Sequence, residues 1–141
     1  MRVSSYAVAR PSPVDRSPTT YIFFYGASAA APSGQTQQLT YTVPAGKRAS
    51  IQSAYAYLGR VTAASVNGRP NVIITVNVGG GNLNVVYVGL RANTVGDKDS
   101  INITNAGQYV AGTIIRAFDQ DDSTGGTVDR QMGFTVLEFD A

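Results

Sequence analysis

The feature that most constrains this chain is a two-residue alternation of side-chain character, interrupted at short intervals by turn-forming residues. Val72, Ile74, Val76 and Val78 alternate with Asn71, Ile73, Thr75 and Asn77. Gly79-Gly80-Gly81-Asn82 then reverses the chain, and Leu83, Val85 and Tyr87 alternate with Asn84, Val86 and Val88 as far as Gly89. Successive side chains of a strand point to opposite faces, so a period of two predicts a strand with one face buried; a helix would need apolar residues three and four apart. Residues 71–89 therefore read as a hairpin closed by a glycine-rich turn.

The same reading extends along the chain. Leu39, Tyr41 and Val43 alternate with Gln38, Thr40 and Thr42, and Pro44-Ala45-Gly46-Lys47 makes a turn. The return strand places Ile51, Ser53, Tyr55 and Tyr57 on one parity, and Gly59 marks a bend before residues 61–66. Asn67-Gly68-Arg69-Pro70 is a turn signal. Residues 91–100 read as a polar loop, Ile101 and Ile103 as a short strand, residues 108–118 as a longer one, and Asp119 to Gly126 as a polar tip. A last strand is expected over residues 127–139, and an earlier one at Tyr21-Ile22-Phe23-Phe24-Tyr25, with residues 27–34 a loop of small residues. No segment carries a helical period. Eight or nine strands at the roughly 8–12-residue spacing of all-β domains predict a single all-β domain, a β-sandwich of jelly-roll type or a barrel.

Two domains are not needed. The chain has 141 residues, enough for one core that hides roughly two-thirds of the unfolded surface. Residues 1–19 stand apart, with Pro11, Pro13 and Pro18 among small residues and with Arg2, Arg10 and Arg16 spaced along them. Proline removes backbone donors and favours extended chain. This segment is expected to be an extended arm, and residues 20–141 the sandwich.

Charged residues make up only 14% of the chain, against roughly 25% in ordinary soluble domains. The surface must then be built from Ser, Thr, Asn, Gln and Gly, which suits a protein covered by another protein. The net charge is +2 and only Lys47 and Arg48 are adjacent bases, so the clustered basic face of a nucleic-acid binder is missing from the sequence. No apolar run reaches the length of a membrane span, and the first residues lack the apolar centre of a signal peptide. Synthesis in a host cytoplasm, without membrane or nucleic-acid partners, is the expectation.

There is no Cys and no His. That removes disulfides, the common nucleophile–base pairs of hydrolases, and His/Cys zinc sites. Carboxylates remain. Asp119, Asp121 and Asp122 have the one-apart spacing of a hard-cation loop, but Thr124 and Arg130 stand where an EF-hand needs glycine and an acid. A solvated hairpin tip accounts for them better. Glu138 and Asp140, one apart on the last strand, are a formal acid–base pair with nothing else to support a glycosidase. Gly79-Gly80-Gly81 lacks the lysine and helix of a phosphate loop. No cofactor, small-molecule substrate or enzymatic activity is expected. The eight tyrosines, among them Tyr21, Tyr25, Tyr41, Tyr55, Tyr57 and Tyr87 on expected strands, are the more informative set, because tyrosine is enriched where proteins meet.

The stretch Tyr41-Thr42-Val43-Pro44-Ala45-Gly46-Lys47, with the strand that follows it, is similar to a strand–turn–strand found in small virion proteins of tailed bacteriophages. With the arm and the strand count, the chain resembles capsid decoration, or cement, proteins. The resemblance implies a homotrimer on the outer surface of an assembled head, contacting the major capsid protein and stabilising it by bridging subunits. It implies partner contacts from the arm, at Arg2, Tyr6, Arg10 and Arg16, and from the first strand, at Tyr21, Phe23 and Tyr25. Other phage parts (tail, neck or head fibre) and a lectin-like carbohydrate- or receptor-binding module are the alternatives.

Overall fold

A computed structural model describes residues 18–29 and 33–141; Arg2, Tyr6, Arg10 and Arg16, expected on an arm, lie outside the described residues. Nine strands and no helix are present among the described residues. They are β1 (Thr19–Ala29), β2 (Thr36–Thr42), β3 (Lys47–Thr62), β4 (Asn71–Val78), β5 (Gly81–Gly89), β6 (Lys98–Thr104), β7 (Gln108–Val110), β8 (Ile114–Gln120) and β9 (Thr127–Asp140).

The pairings are nested. β4 pairs with β5, β3 with β6 and β7, β2 with β8, and β1 with β9, all antiparallel. A chain with such pairs is one long hairpin. Rolling it up brings β9 against β3 and β8 against β4, which closes two sheets in the orders β1-β9-β3-β6 and β2-β8-β4-β5. With β7 a short extension beside β6 on β3, this is the jelly-roll arrangement of a two-sheet sandwich.

The core lies between the sheets. Ile51, Ala54, Ala56, Leu58, Met132, Phe134 and Val136 face it from one side, and Val72, Ile74, Val76, Val86, Ile115 and Ala117 from the other. Ala54 is directly opposite Phe134, so a small residue on β3 makes room for the largest fully buried side chain, on β9.

Several sequence expectations are corrected. Ile51 does not share a face with Tyr55 and Tyr57. A bulge between Ile51 and Ser53 inserts Gln52, which switches parity, so Ile51 is buried while both tyrosines sit on the outer face. Likewise Val85 is the extra residue of a bulge, which sends Val86 and Val88 inward and turns Tyr87 to the outer face. Gly59 does not bend β3, which continues to Thr62. The expected strand over 108–118 is two strands, divided by a turn at Ala111-Gly112. Residues 27–29, expected in a loop, complete β1.

Candidate interaction surface

Among the described residues β1 is an edge strand, bonded to β9 on one side only. Its sequence, Thr-Thr-Tyr-Ile-Phe-Phe-Tyr-Gly-Ala-Ser-Ala, holds no charge and no proline. Natural sheets usually protect so long an edge with lysine, proline or a bulge, because its free N–H and C=O groups are a template for another strand.

Parity along β1 divides its aromatics. Phe23 and Tyr25 pack against the core. The Phe23 ring stacks on Phe134 at 4.8 Å and lies 5.6 Å from Tyr41, which in turn lies 5.9 Å from Tyr21. The Tyr41 hydroxyl donates to Glu138 Oε2 at 2.6 Å. Burial, and then this hydrogen bond to a carboxylate, push the Tyr41 pKa well above the ordinary tyrosine value. Of the contacts expected from β1, Tyr21, Phe23 and Tyr25 thus belong to the inward parity, where their rings hold the two sheets together. The outward residues are Ile22 and Phe24, 77% and 62% exposed. Five consecutive β-formers in the sequence hid this division, since no polar residue marks the outer face.

The ladder registers extend that surface across the sheet. Ile22, Thr135, Ser53 and Thr104 form one row, Phe24, Gly133, Tyr55 and Asn102 the next, and Gly26, Gln131, Tyr57 and Ser100 a third. None of these residues is charged. The Phe24 ring lies along the strand over Gly26, whose Cβ, if it had one, would stand 3.2 Å from the ring. At Gly133 a Cβ would stand 2.7 Å from the Phe23 carbonyl oxygen, so this close approach requires glycine. The Tyr55 hydroxyl is 3.2 Å from Gln131 Oε1, and burial raises its pKa. The result is a neutral face of aromatic and small polar groups, bordered by Lys98 and Asp129 at one end and by Arg48 at the other.

The acidic tip is not a solvated hairpin end. Asp119 and Asp121 are buried. Asp119 Oδ2 is 2.5 Å from Arg130 Nε, and its Oδ1 accepts from Gln38 Nε2 at 3.0 Å. Gln38 is the extra residue of a bulge in β2, which turns its amide towards Asp119. Asp121 Oδ1 accepts from the Ser123 backbone N–H, and its Oδ2 lies 4.0 Å from Arg60 Nη1. Asp122 accepts from the Gly34 backbone N–H and from Gln120 Nε2. The three carboxylates therefore go to separate partners. Among the described residues no three such side chains converge on a common point that could hold a metal. The sequence signal that was missed is the pair Arg60 and Arg130, which sit at inward parity on β3 and β9 and demand carboxylate partners.

No model of a known protein family matches the chain, and no curated protein matches it. Among solved structures, 88% of the chain superimposes on 13% of dimeric latent PorU from Porphyromonas gingivalis, at 10% identity and a TM-score of 0.50. It also matches 33% of a chain of the infectious bursal disease virus Gx strain (90% of this chain, 15% identity, TM-score 0.40). A third match is to 98% of a chain of Bacillus endospore appendages, described as disulfide-linked pili (94% of this chain, 11% identity, TM-score 0.42). The chain spans about a third of the viral chain and about an eighth of PorU. At these identities the likeness is one of fold.

Proposed function

We propose that this protein is a non-enzymatic structural component of a virus particle, a capsid decoration protein that binds the outside of an assembled phage head. The observation that supports this reading most directly is β1, among the described residues an edge strand without charge or proline, continuous with an uncharged outer face. An edge of this kind can extend a neighbour's sheet, with backbone bonds giving affinity and Ile22 and Phe24 giving selectivity. The resemblance around Tyr41–Lys47 points to the same role. A protein that binds only the assembled lattice stabilises that lattice by mass action, and a homotrimer would turn three weak contacts into avidity.

The test uses the full chain and a form lacking residues 1–19. Light scattering gives the mass of each, and co-sedimentation with empty expanded phage heads gives binding. A trimer that sediments with heads, and does so less when truncated, supports the reading. A monomer that stays in the supernatant at all concentrations removes it.

A further inference from the structure

A second site lies away from the neutral face, at the open side of the sandwich between β5 and β6. A cleft of about 550 Å³ is lined there by Arg69, Tyr87, Gly89, Leu90, Arg91 and Asp99. We propose that this cleft binds an acidic saccharide, taking its carboxylate on Arg69 and Arg91 and its ring on Tyr87.

The arginines carry the inference. The β4–β5 ladder ends at Asn71 opposite Gly89, and the Leu90 N–H donating to the Pro70 carbonyl at 2.9 Å carries it one step further. Arg69 and Arg91 flank that last bond, one residue before Pro70 and one after Leu90, and both line the cleft. Like charges brought to one cleft repel, and an anion between them relieves that repulsion. Here neither guanidinium has a carboxylate within ion-pairing distance among the described residues. Arg69 is also held at φ 57°, a left-handed conformation uncommon for a residue with a side chain.

Asn67 enforces this arrangement. Its Oδ1 accepts from the Arg69 backbone N–H at 3.1 Å and its Nδ2 donates to the Arg91 carbonyl at 2.9 Å. One amide thus ties together the two segments that bear the arginines. Two arginines lining one cleft, neither with a carboxylate partner among the described residues, are a receptor for a carboxylate, which each can hold through paired N–H donors.

The other walls select a sugar over a bare anion. The Tyr87 ring lies back over Gly89, where a Cβ would stand 2.8 Å from the hydroxyl, and the ring remains 58% exposed beside the cleft. It offers a flat apolar platform. Asp99 Oδ2 accepts from the Gly89 N–H at 3.2 Å, which fixes the carboxylate at the cleft and leaves it able to accept from hydroxyl groups. The volume lies within the roughly 300–1,000 Å³ of small-molecule sites.

The experiment is an isothermal and NMR titration of the full chain with tri-galacturonate, with the neutral galactose trimer and inorganic phosphate as controls. Binding of the acidic trimer at least about tenfold tighter than both controls is expected, with the shifted amides at residues 67–70, 87–91 and 99. Arg69→Ala and Arg91→Ala should each weaken it by about tenfold or more. Tyr87→Ala should weaken the trimer and leave phosphate unchanged; unaltered thermal unfolding shows that each variant is folded. Arg91→Lys, which keeps the charge but loses the fork, provides a milder substitution and should bind at an intermediate level. Saturation by phosphate as tight as by the trimer, or no shift at these residues with either acid, overturns the proposal.

Discussion

The two edges of the same sheet are built on opposite plans. β1 is fastened from beneath: Phe23 stacks on Phe134, Tyr21 and Phe23 rest on Tyr41, and the Arg130 Nη1 donates to the Ala29 carbonyl while its Nε is held by Asp119. Its outside is bare, with Ile22 and Phe24 exposed and no charge in eleven residues. β6 is the reverse. Only Ile103 of its seven residues is even partly buried, and it begins with Lys98 and Asp99. An edge that is costly to detach yet unprotected suits a strand meant to be met by a partner; a loosely seated edge with charges suits one that must stay solvated.

The largest expected effect comes from undercutting β1. Asp119→Ala leaves Arg130 buried without its partner and should lower stability by about 3 kcal/mol in chemical denaturation. Amide exchange should quicken first at residues 27–29. The double variant Asp119→Leu/Arg130→Met should lose less than the single one, because no uncompensated charge remains. Next comes Phe23→Ala, at about 2 kcal/mol, since the ring is partly buried against Phe134.

Tyr41→Phe is expected to cost about 1.5 kcal/mol at neutral pH by removing the hydrogen bond to Glu138. It should also change the alkaline limb. The folded-state pKa of Tyr41 is raised, and Tyr55 and Tyr109 shift the same way. Above about pH 10 the unfolded chain releases these protons first, so stability holds below that pH and falls as pH rises through it. Unfolding followed from pH 8 to 11 should show a shallower fall for Tyr41→Phe than for the natural chain. The smallest change in stability, within about 0.5 kcal/mol, is expected for Phe24→Asp. That variant should nonetheless lose head binding, whereas Ile101→Asp on β6 should keep it. Retained binding in Phe24→Asp would erase the distinction between the edges.

Strand positions were legible in the sequence because alternation and turn chemistry are local. An all-β sandwich or barrel followed from their number and spacing, while the jelly-roll strand order is set by distant pairings that leave no local mark. Faces were less legible, and the reason is physical. A bulge costs one residue and leaves no mark in composition, yet Gln52 and Val85 each reverse the parity of everything after them. In β1 no polar residue reveals which side faces water. The acids at 119–122 looked like a solvated tip because their partners, Arg60 and Arg130, are some 60 and 10 positions away in the chain. The arginines of the cleft were equally hidden: they lie 22 positions apart and meet only where the segments flanking the β4–β5 hairpin come together at Asn67.

The nested pairing has a consequence for how the molecule comes into being. β1 bonds to β9, with Thr19 opposite Glu138, so β1 must wait for a strand made more than a hundred residues later. Closing so long a loop is entropically slow, and all-β chains dominated by distant contacts fold in milliseconds to seconds. Throughout that interval the Tyr-Ile-Phe-Phe-Tyr run has both edges open, which makes the newborn chain most prone to aggregate through the strand that the finished protein presents to its partner.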